Sequence, residues 1–130
     1  MRDSRPTDCV FCNLPADRIE AANDLALAFA DAFPVSAGHT LVIPRRHVAN
    51  FFDLTEGEVV AVFRLLRLMK DRLEQSQNPR GFNVGVNIGE AAGQSVGHAH
   101  IHIIPRYSGD VEVIGDNHPS TSATIRIPAR

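Results

Sequence analysis

Three of the six histidines in this 130-residue chain alternate with small or branched apolar residues, in the run His98-Ala99-His100-Ile101-His102-Ile103. Strict alternation is typical of a β-strand, because successive side chains of a strand point to opposite faces. The run therefore predicts a strand whose apolar residues face a core and whose histidines line up on the other face. Neighbouring imidazoles would stand roughly 6–7 Å apart, so the row could contact consecutive groups of one elongated ligand. Threonine, lysine or serine would serve equally well on a merely solvated face, so the histidines indicate a function.

The rest of the chain predicts an α+β domain with an antiparallel sheet of about five strands, one long helix and one short helix. Two apolar segments, residues 19–22 and 25–30, are separated by Asn23-Asp24 and indicate a β-hairpin. Further strands are predicted at residues 39–44, which are rich in β-branched side chains, and at residues 81–88, where apolar and polar residues alternate.

The long helix is predicted from its capping signals. Thr55 and Glu58 have the spacing of a capping box, and Asn78-Pro79 ends the helical pattern. A short helical segment is expected just before it, near residues 50–52. The helix carries an apolar stripe that we interpret as core packing, formed by Val59, Val62, Phe63, Leu66, Met69 and Leu73.

Length and composition limit the class of protein. A chain of 130 residues is expected to form one domain. A formal net charge of −2 gives no reason to expect binding to nucleic acid or to a membrane through bulk electrostatics. No apolar run reaches the length of a membrane span, and the N-terminus lacks the apolar segment of a secretory signal. We therefore expect a cytoplasmic location.

The two cysteines, Cys9 and Cys12, form a C-x-x-C pair near the N-terminus. Such a pair can be half of a zinc site, a redox pair or two free thiols. A redox pair would be expected at a strand-to-helix turn, and Asn13-Leu14-Pro15 does not continue as a helix. In the cytoplasm a metal site or free thiols are expected more often than a structural disulfide. A tetrahedral zinc site would need two further ligands.

The histidine run also connects the chain to a known family. With Gly93-Gln94-Ser95-Val96 before it and residues 105–110 after it, the run resembles the motif of the histidine triad (HIT) superfamily of nucleotide hydrolases and transferases. The resemblance covers about residues 9–110, so we expect a HIT domain at 1–110 and a C-terminal tail of the same domain at 111–130. It implies a homodimer whose sheets join into a larger sheet. The tail lacks the tryptophan-containing end of many bacterial members, which leaves the substrate cleft and the dimer contact open.

The resemblance also assigns roles to individual residues. His100 matches the nucleophile, His102 matches the histidine that contacts phosphate, and His39 matches a histidine behind the catalytic row. Ser95 matches a hydroxyl near the leaving group. The matched substrate-binding positions are Asn87, Gly93 and Gln94 at the phosphates, Asp31 at the ribose hydroxyls, and Phe29 and Ala32 in the base pocket.

A structural zinc site is implied by the same resemblance. Many bacterial members bind zinc through two N-terminal cysteines, a histidine after the Ile-Pro segment and the first histidine of the triad. The corresponding residues here are Cys9, Cys12, His47 and His98. Because all four are present, we expect a closed structural zinc site that ties the N-terminus to the histidine run.

The chemistry expected of the run is attack on phosphorus. A neutral imidazole is a competent nucleophile near pH 7, since its unperturbed pKa is about 6.5. We expect His100 to form a covalent nucleotidyl-histidine at the α-phosphate of a dinucleoside polyphosphate or nucleoside phosphoramidate, with an adenine or other purine nucleotide as the substrate. His102 would donate a hydrogen bond to a phosphate oxygen.

Two other hypotheses remain at this stage. A zinc ion held by histidines could activate water. The Cα atoms of His98 and His102 would lie about 13 Å apart on a straight strand, so such an ion would need two of the three histidines plus His39. The second hypothesis is a nucleotide-binding or scaffold protein without catalytic activity.

Overall fold

The computed structural model describes residues 7–110. The α-helix and strands are β1 (Ile19–Ala22), β2 (Ala26–Ala30), β3 (Thr40–Pro44), α1 (Glu56–Gln77), β4 (Gly81–Val86) and β5 (Ile101–Arg106). Three-residue 3-10 turns occupy Ala16–Arg18, Phe51–Asp53 and Glu90–Ala92. The α+β prediction is confirmed, with the expected short helix present as the 3-10 turn Phe51–Asp53. The predicted tail at 111–130 lies outside the described residues.

The five strands form one antiparallel sheet in the order β1-β2-β3-β5-β4. β5 therefore lies inside the sheet, between β3 and β4. His102 of β5 is paired with Leu41 of β3 and with Gly85 of β4. This order places His102 inside the sheet, between two paired strands, and leaves β4 at one edge of the sheet in the described chain.

The inner strands β2, β3 and β5 are buried on both faces, by different layers. In β2 the alanines at 26 and 28 pack against α1, while Leu27 and Phe29 contact a second cluster on the opposite face. Small side chains on the helix face let α1 approach the sheet closely. The opposite face is covered by the N-terminal segment, whose Cys9 and Phe11 belong to that second cluster. The histidine side of the sheet is therefore interior, and not a solvated surface.

Helix α1 begins and ends where the sequence predicts. The Thr55 side chain accepts a hydrogen bond from the Glu58 amide, the Glu58 carboxylate accepts one from the Thr55 amide, and Asn78 ends the helix with a left-handed backbone at φ 51°. The predicted stripe is partly wrong, since Val59 and Phe63 are exposed. The buried side is instead formed by Glu58, Ala61, Val62, Leu65, Met69 and Leu73. Val59 and Phe63 lie beside the edge strand β4 and not over the centre of the sheet.

No helix within residues 7–110 combines the length and apolar character needed to cross a membrane.

An ion pair between a half-exposed arginine and a buried glutamate connects the turn after β3 to the start of α1. The Arg46 guanidinium donates to both carboxylate oxygens of Glu58, at 2.8 and 3.0 Å, and Glu58 also accepts from the Thr55 amide at 2.9 Å. The Glu58 side chain is only 5% exposed. The pair fixes the backbone immediately before His47, one of the predicted zinc ligands.

Replacing Glu58 with glutamine is expected to lower the free energy of unfolding by about 1–3 kcal/mol at neutral pH, because an NH₂ donor replaces one of the two acceptor oxygens and the charge is lost. The hydrogen bond from Arg46 lowers the pKa of Glu58 in the folded chain. This contribution is therefore complete above the usual glutamate pKa and is lost as the pH falls through the lowered value. Chemical denaturation should show wild-type stability falling between about pH 5 and pH 3, with a flatter curve for Glu58→Gln.

Glu74→Gln provides the matched control. Glu74 pairs with Lys70 at 3.2 Å on the exposed surface of the same helix, where an ion pair contributes little to stability. Equal losses in the two variants would contradict the role assigned to the Arg46–Glu58 pair.

Candidate active site and metal centre

Four predicted metal ligands from three parts of the chain meet beneath the sheet. Cys9 and Cys12 lie in the N-terminal turn, His47 follows β3, and His98 lies just before β5. Their ligand atoms all lie within 4.8 Å of one another. Nδ1 of His98 is 3.5 Å from each of the two sulfurs, and Nδ1 of His47 is 3.3 Å from Cys12 Sγ. Adjacent sulfur and nitrogen ligands of a tetrahedral zinc ion stand about 3.6 Å apart, so the geometry fits zinc.

The orientation of His98 also suits a metal ligand. Its Nε2 lies 2.8 Å from the carbonyl oxygen of Pro44. A carbonyl can only accept, so Nε2 carries the proton and Nδ1 presents its lone pair to the cysteines. Burial lowers the pKa of His98, although the bond to Pro44 partly opposes the shift. A neutral imidazole is the form that binds zinc.

His100 is oriented by the backbone of His98. Its Nδ1 lies 2.8 Å from the His98 carbonyl oxygen and must donate to it. Nε2 of His100 then carries the lone pair, as a nucleophile requires. The His100 ring is fully buried. It packs edge-to-face with the Phe11 ring, and the two ring centroids are 5.1 Å apart.

His102 is the only one of the three histidines that lies within β5; His98 and His100 occupy the segment directly before the strand. The predicted strand therefore begins later than the alternation suggests. Ile101 packs toward α1, whereas His102 points to the opposite side and contacts His100 at 5.2 Å between ring centroids. The predicted separation of the two faces is correct from Ile101 onward.

His39 and Asp31 lie behind His102. Nε2 of His39 is 2.9 Å from Nδ1 of His102 and 3.3 Å from Oδ2 of Asp31. One atom from each of these three residues also falls within 4.8 Å of the others. However, the backbone amide of Val35 donates to Nδ1 of His39 at 3.0 Å, which leaves the ring proton on Nε2. The donor set fits a hydrogen bond better than an ion and weighs against a water-activating zinc here.

An apolar cavity of about 460 Å³ opens beside the histidines. Its lining includes Phe11, Phe29, Asp31, Ala32 and Leu41. Phe11 lines this cavity and also contacts His100, so the cavity lies next to the histidines. The structure thus brings together the predicted pocket residues Phe29, Asp31 and Ala32.

The predicted phosphate-contacting residues occupy the loop before the histidines. Asn87 follows β4 directly and is buried. Gln94 accepts from the Gly89 amide and donates to the carbonyls of Ala49 and Val96, and the Gly93 amide donates to the Glu90 carbonyl. The side-chain amide of Gln94 and the backbone amide of Gly93 therefore stabilise the conformation of the loop.

Ser95 is exposed and lines a separate cavity of about 380 Å³ with Cys9 and His47. No described hydrogen bond joins it to His100. Substrate contacts by Ser95, Gln94, Gly93 and Asn87 remain predictions.

Several site residues were not found from the sequence. Phe11 and Leu41 line the cavity, and Arg18 lies at its rim, where its guanidinium donates to the Ala30 carbonyl and stands 5.9 Å from the Phe29 ring centre. The position of Phe11 between two metal ligands is a signal that could have placed it next to the histidines. Nothing in the sequence marks Arg18.

Comparisons with known proteins identify the family of the chain. The HIT domain family matches residues 15–109, and the chain belongs to that family. An uncharacterized HIT-like protein of Saccharolobus solfataricus is 37% identical over 112 residues, which cover 83% of this chain and 81% of that one. The AP-4-A phosphorylase of Mycobacterium tuberculosis is 34% identical over 97 residues, which cover 74% of this chain and 50% of that protein. A Zn-bound histidine triad family protein from Mycobacterium smegmatis has a TM-score of 0.70 and 30% identity, with 92% of this chain and 85% of that one covered.

Cys12→Ser is expected to abolish stoichiometric zinc binding, because Cys12 contacts both histidines of the cluster. The purified wild type should contain about one zinc per chain by elemental analysis, and chelation should lower its melting temperature. Val10→Ser changes an exposed residue of the same turn and should keep the metal. Zinc retained in Cys12→Ser, or lost equally in Val10→Ser, would contradict the assigned ligands.

Proposed function

We propose that the protein hydrolyses or transfers nucleotides at the α-phosphate of dinucleoside polyphosphates or nucleoside phosphoramidates, through a covalent bond between phosphorus and Nε2 of His100, and that it acts in the cytoplasm. The observation that supports this most directly is the 2.8 Å hydrogen bond between His100 Nδ1 and the His98 carbonyl. A backbone acceptor at Nδ1 makes Nε2 the basic nitrogen, and the developing positive charge on the ring is stabilised by the same carbonyl.

The reaction has two displacements. In the first, the lone pair of His100 Nε2 forms an N–P bond, and the P–O or P–N bond to the leaving group breaks with its electron pair staying on the leaving group. Ser95 assists that departure, with a departing amine taking up a proton from solvent through the Ser95 hydroxyl, and His102 donates to a phosphate oxygen. In the second, water or another acceptor attacks phosphorus, its proton passes to solvent, and the N–P bond breaks with its electron pair returning to Nε2.

The cavity beside Phe11 is the proposed nucleoside site. Its volume of about 460 Å³ lies within the range of roughly 300–1,000 Å³ usual for small-molecule sites. Phe29 and Ala32 supply the apolar wall for a purine base, and the Asp31 carboxylate accepts from the ribose hydroxyls. The relative named as an AP-4-A phosphorylase supports a dinucleoside polyphosphate as the substrate and phosphate as an acceptor besides water.

Zinc is proposed to be structural in this protein. When bound by Cys9, Cys12, His47 and His98 it would stabilise the N-terminal segment against the sheet, and it would leave no open position for substrate. The Zn-bound relative supports this assignment. Through His98, the same cluster holds the carbonyl that orients His100.

Intact-protein mass spectrometry after acid quench tests the covalent step. Wild type mixed with an adenosine phosphoramidate or diadenosine tetraphosphate should gain the mass of one AMP. His100→Ala should show no adduct and lose at least about 10³-fold in turnover. Ser95→Ala is expected to form the adduct more slowly. Turnover that proceeds without an adduct and is abolished by a chelator would favour a zinc hydrolase. Substrate binding without turnover would favour a scaffold.

A homodimer is also proposed, through the edge of the sheet. Val84 of β4 and Phe63 of α1 are 56% and 57% exposed. They line a shallow apolar cavity of about 220 Å³ together with Val59, Leu66 and neighbouring residues. An exposed sheet edge next to an apolar helix face is a common site of association between chains.

Val84→Lys is expected to convert the dimer to a monomer, because a charge would be buried at the contact. Light scattering with size-exclusion chromatography at micromolar concentration measures the change. Val60→Lys is the control, since Val60 is similarly exposed on α1 but lies on a different side of the helix. A monomeric wild type, or a dimer that survives Val84→Lys, would contradict this interface.

A further inference from the structure

The proposed nucleoside cavity extends across the sheet, away from the histidines. His102 of β5 is paired with Leu41 of β3, Leu41 with Phe29 of β2, and Phe29 with Ile19 of β1. Directly paired residues of neighbouring strands lie on the same face, and neighbouring strands stand about 4.8 Å apart. The row therefore crosses the face that carries His102, and its β1 end lies about 14 Å from His102 at the backbone.

Arg18 stands at that far end. It directly precedes Ile19 and is exposed at the rim of the cavity, and its guanidinium carbon lies 5.9 Å from the Phe29 ring centroid. Its Nη2 donates to the Ala30 carbonyl at 3.1 Å, which holds the guanidinium beside Phe29. Among residues 7–110 that carbonyl is the only acceptor of the guanidinium, so its other N–H groups are available to a ligand.

Arg18 is also the side chain of the lining that can donate to a ligand. The other polar side chains there are Asp31 and Asn13. A carboxylate only accepts, and the Asn13 amide nitrogen already donates to the carbonyls of Thr7 and Cys9. The remaining lining residues are apolar. They can bury the faces of a base, but apolar walls discriminate poorly between rings of similar size.

The position of Arg18 suits contact with a base and not with the reacting phosphate. With phosphorus bonded to His100, a nucleotide that follows the cavity across the sheet places its base over Leu41 and Phe29. The purine edges that point away from the ribose carry the acceptors N1 and N7 in adenine. An arginine only donates, so Arg18 matches an acceptor on those edges.

We propose that Arg18 is a specificity-determining residue for the base: at the end of the cavity remote from His100, its guanidinium donates to a ring nitrogen of the purine, N1 or N7 in adenine. Placement of the phosphate at His100 rests on the proposed function, whereas binding of the base is measurable without turnover.

Calorimetric titration of the full chain with AMP, 1-deaza-AMP and 7-deaza-AMP tests this contact. Each analogue replaces one ring nitrogen by C–H. Wild type should bind one of the two about 10-fold more weakly than AMP, because a hydrogen bond from a charged donor is lost. Arg18→Met keeps an unbranched side chain without N–H donors. It should bind AMP about 10-fold more weakly than wild type does, and it should bind AMP and that analogue equally.

Arg72→Met is the matched control. Arg72 also donates to a backbone carbonyl of β1, that of Glu20, at 3.0 Å, but it belongs to α1 and does not line the cavity. Its replacement should leave all three dissociation constants unchanged. If Arg18 only stabilised the backbone at Ala30, or only stacked on the base, Arg18→Met would weaken AMP and both analogues equally. Either result would overturn the proposal, and so would unchanged binding of AMP.

Turnover separates this contact from the proposed function. Because Arg18 touches the base and not phosphorus, Arg18→Met should raise KM about 10-fold and change kcat less than about 2-fold. A fall confined to kcat would contradict base binding. A wild type that binds AMP with the predicted dependence on Arg18 but has no turnover would contradict the proposed function alone. A wild type that does not bind AMP would contradict both.

Discussion

The hydrogen bond from His100 to the His98 carbonyl depends on the position of His98, whose ring makes two further sets of contacts. The His98 ring donates to the Pro44 carbonyl at the end of β3 and directs Nδ1 at Cys9 and Cys12. Its backbone then sets the tautomer of His100. The group of cysteines and histidines that fits zinc, a central strand and the proposed nucleophile therefore meet at His98, and displacement of its ring would disturb all three.

This arrangement requires inner strands that are buried on both faces. Polar groups are costly to bury unless they are hydrogen-bonded, and the buried imidazoles at 39, 98, 100 and 102 each have such a partner. Backbone groups fix the donor direction of His98, His100 and His39. The N-terminal segment that covers this face contacts His47 and His98 through its cysteines. The same segment therefore forms the proposed zinc site and keeps water away from the histidines.

Much of this was predictable because the relevant signals are local. Alternation placed β5 near the histidines, the Thr55–Glu58 spacing placed α1, and the family motif brought Cys9, Cys12, His47 and His98 into one cluster. The errors have physical causes. Val59 and Phe63 fit the helical period but lie beside the sheet edge. The strand starts only at Ile101, and in the segment before it His98 contacts the Pro44 carbonyl and the two cysteines. Tautomers, the second contact of Asp31 and the position of Arg18 depend on tertiary packing, which no sequence period encodes.

The central claim is that phosphorus becomes bonded to His100 before an acceptor arrives. The stereochemistry at the α-phosphorus tests it most directly. A substrate with a chiral α-phosphorothioate is hydrolysed in ¹⁸O-labelled water, and the configuration of the product is determined by ³¹P NMR. Two successive in-line displacements predict net retention of configuration. Net inversion would show a single direct attack by water and would contradict the covalent role of His100.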